Sequence, residues 1–377
     1  MDGPTRRSLL TTGLVALSGC SDLISNTTGQ RVSTCDKPGS GWLQYQGDVA
    51  NNGWSAGPAV VSDSLDSIRN VDNRDGGAVL TDDLLVFGRE ETLYAYDAAG
   101  KTQRWSADLR DPLQVTPATY CDAVLAATVN DVYALDASEG SVIWEADSTG
   151  TTGPVSVAGE AVVVPMSSRV RAFEVTDGSS RWEFDRDWSN NGACATDGTV
   201  FVAGGDATGG YVAAVDLDSG DGRWQTRLQR TVWFSPVYRD GSVFAVDDGG
   251  TVYRIDAETG DVQWERTVAD RRAPTPLVTD SLVVVAGGNA DRTHALDAET
   301  GDPQWSLETG PVLVPPVAAA DEIYVGTMNR GLFAVDHGGE VLWHREEPNV
   351  GSPMAVHDGA LVFKSRFPEF ELYRLGP

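Results

Sequence analysis

The sequence has 377 residues, of which 41% are hydrophobic and 22% are charged, and its formal net charge is −27 at pH 7. So acidic a chain lacks the basic surface that phosphate binding needs, and nucleic acid is therefore excluded as an expected partner. Only Lys37, Lys101 and Lys364 are lysines among 28 basic residues. We therefore expect an acidic, lysine-poor surface whose self-repulsion would be screened by concentrated salt.

The first 19 residues have the pattern of an export signal. Arg6 and Arg7 form a twin-arginine pair, and the short apolar stretch 14–17 runs into Leu-Ser-Gly-Cys, which resembles a lipobox ending at Cys20. We expect cleavage before Cys20 and lipid attachment to its thiol. The alternatives are an ordinary export signal cut elsewhere or a short transmembrane anchor, although the apolar run is short for a span.

A polar segment over 20–41 follows and is expected to be a flexible tether. It contains a glycosylation acceptor, Asn26-Thr27-Thr28.

From residue 42 to 377, one phrase recurs: an apolar strand, an acidic residue, a short turn ending in glycine, and then tryptophan. The acidic positions are separated by 39, 38, 42, 40, 41 and 39 residues. We call them the motif acids: Asp97, Asp136, Glu174, Asp216, Asp256, Asp297 and Asp336. The motif tryptophans are Trp105, Trp144, Trp182, Trp224, Trp264, Trp305 and Trp343. A period of about 40 residues is typical of propeller blades.

Each repeat divides into four short strands. Around Asp256 the expected strands are 235–238, 242–246, 251–255 and 262–266, separated by Asp- and Gly-containing turns suited to hairpins. The sequence therefore predicts an all-β, eight-bladed propeller of four-stranded antiparallel blades. The motif acids are expected to hydrogen-bond their turn backbones, and the motif tryptophans to pack between neighbouring blades.

The eighth repeat stops at Pro377 before its outer strand. We predict that an N-terminal strand, Gly41–Gln46, supplies that strand and closes the ring, with Trp42 as the eighth docking tryptophan.

The repeated Ala-Leu-Asp-Ala-(Glu/Ser)-(Thr/Glu)-Gly-x-x-x-Trp resembles the repeat of PQQ-like (quinoprotein-type) propellers, a WD40-like architecture. That family includes quinone-dependent alcohol dehydrogenases and the non-catalytic propeller lipoprotein of the outer-membrane β-barrel assembly machinery. The repeat specifies the scaffold and leaves the activity open. The resemblance implies, for the enzymes, adjacent cysteines, a catalytic Asp and calcium ligands, and the sequence has no Cys-Cys. We therefore expect no catalytic residue, no metal site and no cofactor, with PQQ plus calcium as the minority alternative.

The remaining cysteines and the histidines give little guidance. Cys35, Cys121 and Cys194 are an odd number, so the disulfide pairing stays open. The four histidines, His294, His337, His344 and His357, fall in different repeats without metal-ligand spacing.

Three consecutive blade junctions carry arginines and aromatic residues that the repeat does not require. In a propeller, these junctions lie on the face opposite the Asp-Gly turns. The candidate binding residues are Arg186, Trp188, Arg227, Arg230, Trp233, Phe234, Arg266, Arg271 and Arg272. Arg and Trp are typical of binding hot spots. The alternative is that each arginine pairs with a nearby carboxylate and that Trp233 covers the channel mouth.

These observations predict a lipid-anchored, extracytoplasmic, monomeric propeller that presents one face to a protein partner. The acidic composition and the twin-arginine signal together favour the outer face of a haloarchaeal cell membrane. The alternative function is a PQQ-dependent or sugar-oxidising oxidoreductase with an atypical site.

Overall fold

The computed structural model describes residues 30–35, 39–62, 64–71, 76–113, 115–196, 198–268, 272–287, 291–366 and 370–377. These residues form 34 strands and no helix. Three short strands precede the blades: β1 (Gly41–Trp42), β2 (Trp54–Ser55) and β3 (Leu65–Asn70).

The first four blades are these. Blade 1 has β4 (Ala78–Thr81), β5 (Leu84–Arg89), β6 (Thr92–Asp97) and β7 (Gln103–Asp108). Blade 2 has β8 (Ala118–Tyr120), β9 (Ala123–Ala127), β10 (Asp131–Asp136) and β11 (Val142–Asp147). Blade 3 has β12 (Ser156–Ala158), β13 (Ala161–Met166), β14 (Arg169–Glu174) and β15 (Ser180–Asp185). Blade 4 has β16 (Ser189–Thr196), β17 (Thr199–Asp206), β18 (Gly209–Asp216) and β19 (Gly222–Leu228).

The last four blades continue the series. Blade 5 has β20 (Val237–Arg239), β21 (Ser242–Val246), β22 (Thr251–Asp256) and β23 (Val262–Thr267). Blade 6 has β24 (Leu277–Val278), β25 (Leu282–Ala286), β26 (Arg292–Asp297) and β27 (Pro303–Glu308). Blade 7 has β28 (Val317–Ala319), β29 (Glu322–Gly326), β30 (Leu332–Asp336) and β31 (Val341–Arg345). Blade 8 has β32 (Ala355–His357), β33 (Ala360–Lys364) and β34 (Glu371–Leu375).

Eight sheets, each built on four antiparallel blade strands, confirm the predicted propeller. The second and third strands of each blade read as near-continuous apolar runs because both of their faces are buried against neighbouring blades; β9, β21 and β25 are buried along their whole length. We call the side that carries the first-to-second and third-to-fourth strand turns the turn face. The opposite side, with the second-to-third loops and the inter-blade links, is the loop face.

Six motif tryptophans dock onto the next blade in the same way. Each indole N–H donates to the carbonyl of the residue after the next motif acid; Trp144, for example, donates to Val175 at 2.8 Å. The equivalent pairs are Trp105–Ala137, Trp182–Leu217, Trp224–Ala257, Trp264–Ala298 and Trp305–His337. The rings pack on the turn glycines, as Trp144 does on Gly178, where any side chain would clash. Trp343 instead packs beside Tyr324, with ring centroids 6.0 Å apart.

The ring closes through a different strand from the one predicted. The outer strand of blade 8 is β3, which pairs antiparallel with β34, so an N-terminal segment does close the ring. The assignment of Gly41–Gln46 and of Trp42 to this role was wrong. Ile68 of β3 takes the tryptophan position against Gly100 of blade 1, and Arg374 replaces the indole N–H by donating to Ala98 O at 3.2 Å.

Residues 41–55, which we call the channel plug, cross the central channel at the turn face. β1 pairs with β4 and β2 pairs with β28, so both ends of the plug attach to inner strands. Between them, the plug accepts N–H groups from the inner strands of five further blades: Thr119 to Leu43 O, Val157 to Gln44 Oε1, Ala195 to Val49 O, Tyr238 to Ala50 O and Val278 to Asn52 O. Because inner strands are sheet edges with unpaired N–H groups, the plug satisfies backbone donors around most of the ring.

Two buried side chains fix the plug inside the channel. The Asn51 amide donates to Ala193 O and Pro236 O at 2.8 and 3.1 Å. The Tyr45 hydroxyl lies 2.9 Å from Thr275 Oγ1, and burial raises the pKa of Tyr45 to about 12. Trp42 is 2% exposed and covers Gly47 within the plug, which gives that tryptophan a different structural role from the predicted one.

The segment immediately before the plug is also docked. Val32 is buried, and its N–H donates to Thr176 O of blade 3 at 3.0 Å. Ser33 bonds both carboxylate oxygens of Asp122 in blade 2, and Cys35 forms a disulfide with Cys121. We call residues 30–35 the N-terminal staple. The flexible tether expected over 20–41 therefore does not extend through these six residues; positions 20–29, including Cys20 and Asn26, lie outside the described residues, as does the expected signal over 1–19.

The turn carboxylates should make the fold sensitive to acid. The hydrogen bonds that Asp256 accepts from the backbone of Thr259 and Glu258, at 2.9 and 3.0 Å, lower its pKa below 3.8, and backbone bonds also lower the pKa of Asp297. The pKa of Asp216 is lowered first by the Arg223 side chain and then by its turn backbone. Because the folded-state pKa lies below the unfolded one, this stabilisation is present above about pH 4 and is lost as the pH falls through the folded values.

We expect the urea midpoint at constant high salt to fall between pH 5 and pH 3. The Asp256→Asn variant, which keeps the acceptor and removes the titration, should show a smaller fall. An equal fall in both proteins would contradict this origin of the acid sensitivity.

Candidate protein-binding face

The predicted binding residues sit on links around the loop-face end of blade 4. Arg186 and Trp188 lie on the link between β15 and β16, and residues 229–236 form the link between β19 and β20. The second link is fixed to blade 5 because Val232 bridges Asp247 and the Asp248 N–H donates to Thr231 O at 2.8 Å. The blade framework therefore holds this part of the face in place.

Trp233 and Arg272 form the exposed centre of the face. Trp233 is 39% exposed, and the Arg272 guanidinium carbon lies 4.1 Å from the centroid of its ring. The Asp248 carboxylate is 3.6 Å from Arg272 Nε, and the Arg272 side chain remains 57% exposed. Arg272 therefore contacts both the Trp233 ring and a nearby carboxylate, the kind of pairing that the sequence left as an alternative, and most of its side chain stays exposed.

Arg186 and Trp188 form a second, less accessible group. Trp188 is buried, stacks on Tyr211 with centroids 5.4 Å apart, and donates its indole N–H to Gln225 Oε1. The Arg186 guanidinium lies over Phe184 and beside Trp188. Burial lowers the pKa of Arg186 to about 10, and its Nε and Nη2 have no hydrogen-bond partner among the described residues. These two nitrogens are themselves shielded from solvent, so this arginine is a packed cation at the edge of the face and its unpaired N–H groups are not open to a ligand.

The other predicted residues divide between this face and the outer rim. Arg227 and Arg230 are exposed on the loop face, where Arg227 Nη2 donates to Thr208 O at 2.7 Å, and Phe234 is half-buried in the link between β19 and β20. Arg266 leaves the group: its Nε donates to Gly301 O and its Nη2 pairs with Asp302, so it joins blades 5 and 6 at their rim. Arg271 lies outside the described residues.

Sequence reasoning missed the neighbours that organise this face. Tyr211 and Gln225 come from β18 and β19 of blade 4, and Asp248 comes from the loop of blade 5. Their roles depend on contacts between blade strands and links that are distant in sequence, and nothing in the one-dimensional repeat marks them. Trp54 is the other exposed tryptophan, at 39%, and it lies on the turn face at the end of the plug.

The described cysteines do not form the adjacent pair that the resemblance to quinoprotein enzymes implies. No group of three or more His, Cys, Asp or Glu side chains in the described ranges is placed to hold a metal ion. Cys121 is bonded to Cys35, and Cys194 is a lone buried thiol with its pKa raised by burial. The adjacent thiols of the quinoprotein enzymes therefore have no counterpart in this part of the chain. Nor does any helix long and apolar enough to cross a membrane occur there.

Comparison with known sequences identifies relatives of this propeller. The family described as outer membrane protein assembly factor BamB matches residues 23–183, 89–231, 166–290 and 270–366. The serine/threonine-protein kinase AfsK of Streptomyces griseus is 31% identical over 175 residues, 41% of this chain and 21% of the kinase. The BamB proteins of Yersinia pestis and Moranella endobia are 25% and 26% identical, over 48% and 69% of this chain. The matches span 53% and 70% of those two proteins.

Solved structures show the same fold at low identity. BamB from Moraxella catarrhalis aligns with a TM-score of 0.68 at 17% identity, covering 84% of this chain and 98% of that protein. Quinohemoprotein alcohol dehydrogenase from Comamonas testosteroni aligns with a TM-score of 0.72 at 12% identity, covering 89% and 81%. Structural likeness therefore reaches an assembly factor and an alcohol dehydrogenase alike, and it shows the propeller alone. On the sequence matches over most of its length, this chain belongs to the family of the outer membrane protein assembly factor BamB.

Proposed function

We propose that this protein is a non-catalytic, membrane-anchored, extracytoplasmic scaffold that presents its loop face to an acidic segment of a protein partner. The observation that carries the proposal is the exposed Trp233 with Arg272 on its ring. All eleven tryptophans are described, and among them only Trp54 and Trp233 are more than a third exposed. The repeat does not require a tryptophan at position 233, so the exposed part of this side chain is available for binding.

The chemistry of the face favours a carboxylate-bearing segment. Arg272, Arg227 and Arg230 are exposed cations on a protein of net charge −27, and they are gathered within one sector of the loop face. An aromatic or aliphatic residue packing on Trp233, flanked by Asp or Glu, would match this arrangement.

The membrane anchor and the cellular environment are proposed from the sequence. The twin-arginine pair and the Cys20 lipobox support export and lipid attachment, and the acidic, lysine-poor composition supports a haloarchaeal, high-salt environment. BamB relatives are named for outer membrane protein assembly. We extend to this chain only the assembly of envelope protein complexes, since an archaeal cell has no outer membrane.

The test is affinity purification of the tagged protein from its native host in high salt after mild crosslinking, with mass spectrometry of the retained proteins. The retained partner is then purified and its affinity measured directly. We expect Trp233→Ala to weaken binding about thirtyfold, the effect of losing a hot spot worth about 2 kcal/mol. Arg272→Glu should weaken it at least as much.

The matched control is Arg104→Glu, which makes the same charge change at an exposed arginine on the turn face. It should leave the affinity unchanged. Equal losses in Arg272→Glu and Arg104→Glu would show that only overall charge matters. Unchanged affinity in Trp233→Ala would refute the loop-face site.

A further inference from the structure

The N-terminal staple determines where the preceding chain leaves the propeller. Val32 is 2% exposed and packs in a cluster of residues from blades 2 and 3. Its N–H bonds Thr176 O in the third-to-fourth strand turn of blade 3, and Ser33 bonds Asp122 in the first-to-second strand turn of blade 2. Both partners lie on the turn face.

The staple holds by several independent contacts. Arg31 Nη2 lies 3.2 Å from the Asp177 carboxylate, beside Thr176. The Ser33 hydroxyl donates to Asp122 Oδ2 at 2.6 Å, and the Cys35–Cys121 disulfide ties the same short segment covalently to blade 2. Hydrophobic burial, an ion pair, hydrogen bonds and a covalent bond together fix the exit point at the junction of blades 2 and 3.

We infer that the protein stands on the membrane with its turn face toward the lipid and its loop face pointing away. The inference rests on the proposed lipid anchor at Cys20. Ten peptide bonds separate Cys20 from Gln30, where the staple begins. Fully extended they reach at most about 35 Å, and as a relaxed coil about 17 Å.

That reach is short compared with the height of a blade. A six-residue strand such as β14 alone rises about 20 Å, and the turns at each end add to it. To bring the loop face to the bilayer, the tether would have to run outward along the turn face and then up the full side of a blade. Only a nearly extended tether could do so, at a cost in conformational entropy.

The tether keeps the turn face near the membrane, and direct attraction between that face and the lipid is not needed. The motif acids lie in third-to-fourth strand turns, so the turn face is acidic and would be repelled by anionic headgroups. The propeller is therefore held beside the membrane within tether reach, and Trp233 and Arg272 face the extracytoplasmic space. The partner proposed above would then approach from the side away from the anchor.

Two labelled variants in blade 4 test the orientation. In a Cys194→Ala background, Asp218→Cys places a single reactive thiol on the turn face and Ala207→Cys places one on the loop face; both positions are exposed. The lipid-modified, disulfide-bonded full chain is labelled with a fluorophore and reconstituted into phosphatidylcholine vesicles carrying a headgroup nitroxide. We expect the label at position 218 to be quenched at least about twice as strongly as the label at position 207.

A further change to both labelled variants tests whether the staple, and not the shape of the propeller alone, determines the orientation. The triple change Val32→Asp, Cys35→Ser and Cys121→Ser, made in each labelled variant so that no second thiol is released, should free the staple and roughly double the tether, so the difference in quenching should shrink. If the protein binds vesicles but the two labels are quenched equally, or in the reverse order, the orientation is refuted while the anchor stands. Persistence of the full difference without the staple would also refute it. If the Cys20→Ala variant floats with vesicles as well as the parent, or the parent does not bind them, the proposed anchor itself fails.

Discussion

Replacing Trp144 with alanine should lower the free energy of unfolding by about 3–5 kcal/mol, the range for removing a buried tryptophan. Its side chain is fully buried between blades 2 and 3 and makes the 2.8 Å indole bond to Val175 O. The change would leave both a cavity and a buried carbonyl without its donor. Denaturant unfolding followed by far-ultraviolet circular dichroism, in concentrated salt, measures the loss.

Trp233→Ala is the matched control for Trp144→Ala. It removes the same side chain from an exposed site, so the free energy of unfolding should change by less than about 0.5 kcal/mol. In partner binding the order should be reversed: Trp233→Ala should lose affinity, and folded Trp144→Ala should keep it. A similar loss of stability in both would mean that Trp233 belongs to the packing of the ring and would remove the main support for a binding face.

The architecture was predictable because every blade repeats one physical solution. The acid caps a turn, the glycine leaves room for an indole, and the indole joins the next carbonyl. Each of these needs a specific residue type at a fixed offset, and so the sequence records it at an interval of about 40 residues. The observed strands of blade 5 differ by two residues or fewer from the predicted bounds.

Ring closure was predicted in principle and misplaced in detail because the last junction uses different chemistry. Ile68 and Arg374 together perform the packing and hydrogen bonding that one tryptophan performs elsewhere. A search for tryptophan therefore selected Trp42 and passed over β3. The available signal was position: residues 65–70 directly precede the four strands of blade 1 and have no place in that blade.

The channel plug was out of reach for a different reason. Its bonds to the blades are made mainly by its own backbone carbonyls, which any sequence carries. The side chains that do matter, Asn51 and Tyr45, are single polar residues whose partners lie about 140 to 230 positions away. Local pattern reasoning has no access to such contacts.

The candidate site was predictable to the level of the face, and less so for individual residues. Blade geometry alone assigns the links to one side, and Arg186, Trp188, Trp233 and Arg272 are all found there. Which of them is buried depends on neighbours: Tyr211 and Gln225 engage Trp188, whereas Trp233 has the arginine on its ring and remains accessible. Arg266 was misassigned because a side chain near the end of an outer strand can reach across to the next blade's turn.

Breaking the Cys35–Cys121 disulfide should lower the free energy of unfolding by about 2–4 kcal/mol. The bond closes a loop of 86 residues that includes the plug, β3 and all of blade 1. A cross-link of this span restricts the unfolded chain strongly, and it also keeps Val32 in its buried site. The measurement compares denaturant midpoints of the parent with the Cys35→Ser/Cys121→Ser variant, and of the parent with and without reductant.

Cys194→Ala is the control for cysteine chemistry, because that thiol is buried and unbonded. Reductant should leave the Cys35→Ser/Cys121→Ser variant unaffected and should destabilise the Cys194→Ala variant as much as the parent. If reductant does not shift the parent's midpoint, the staple is held by its non-covalent contacts alone. The loss should be confined to stability, since Trp233 and Arg272 lie on the opposite face and partner affinity of the folded variant should match that of the parent. A loss of both stability and affinity would contradict this expectation. It would mean that the staple on the turn face affects binding on the loop face through the ring.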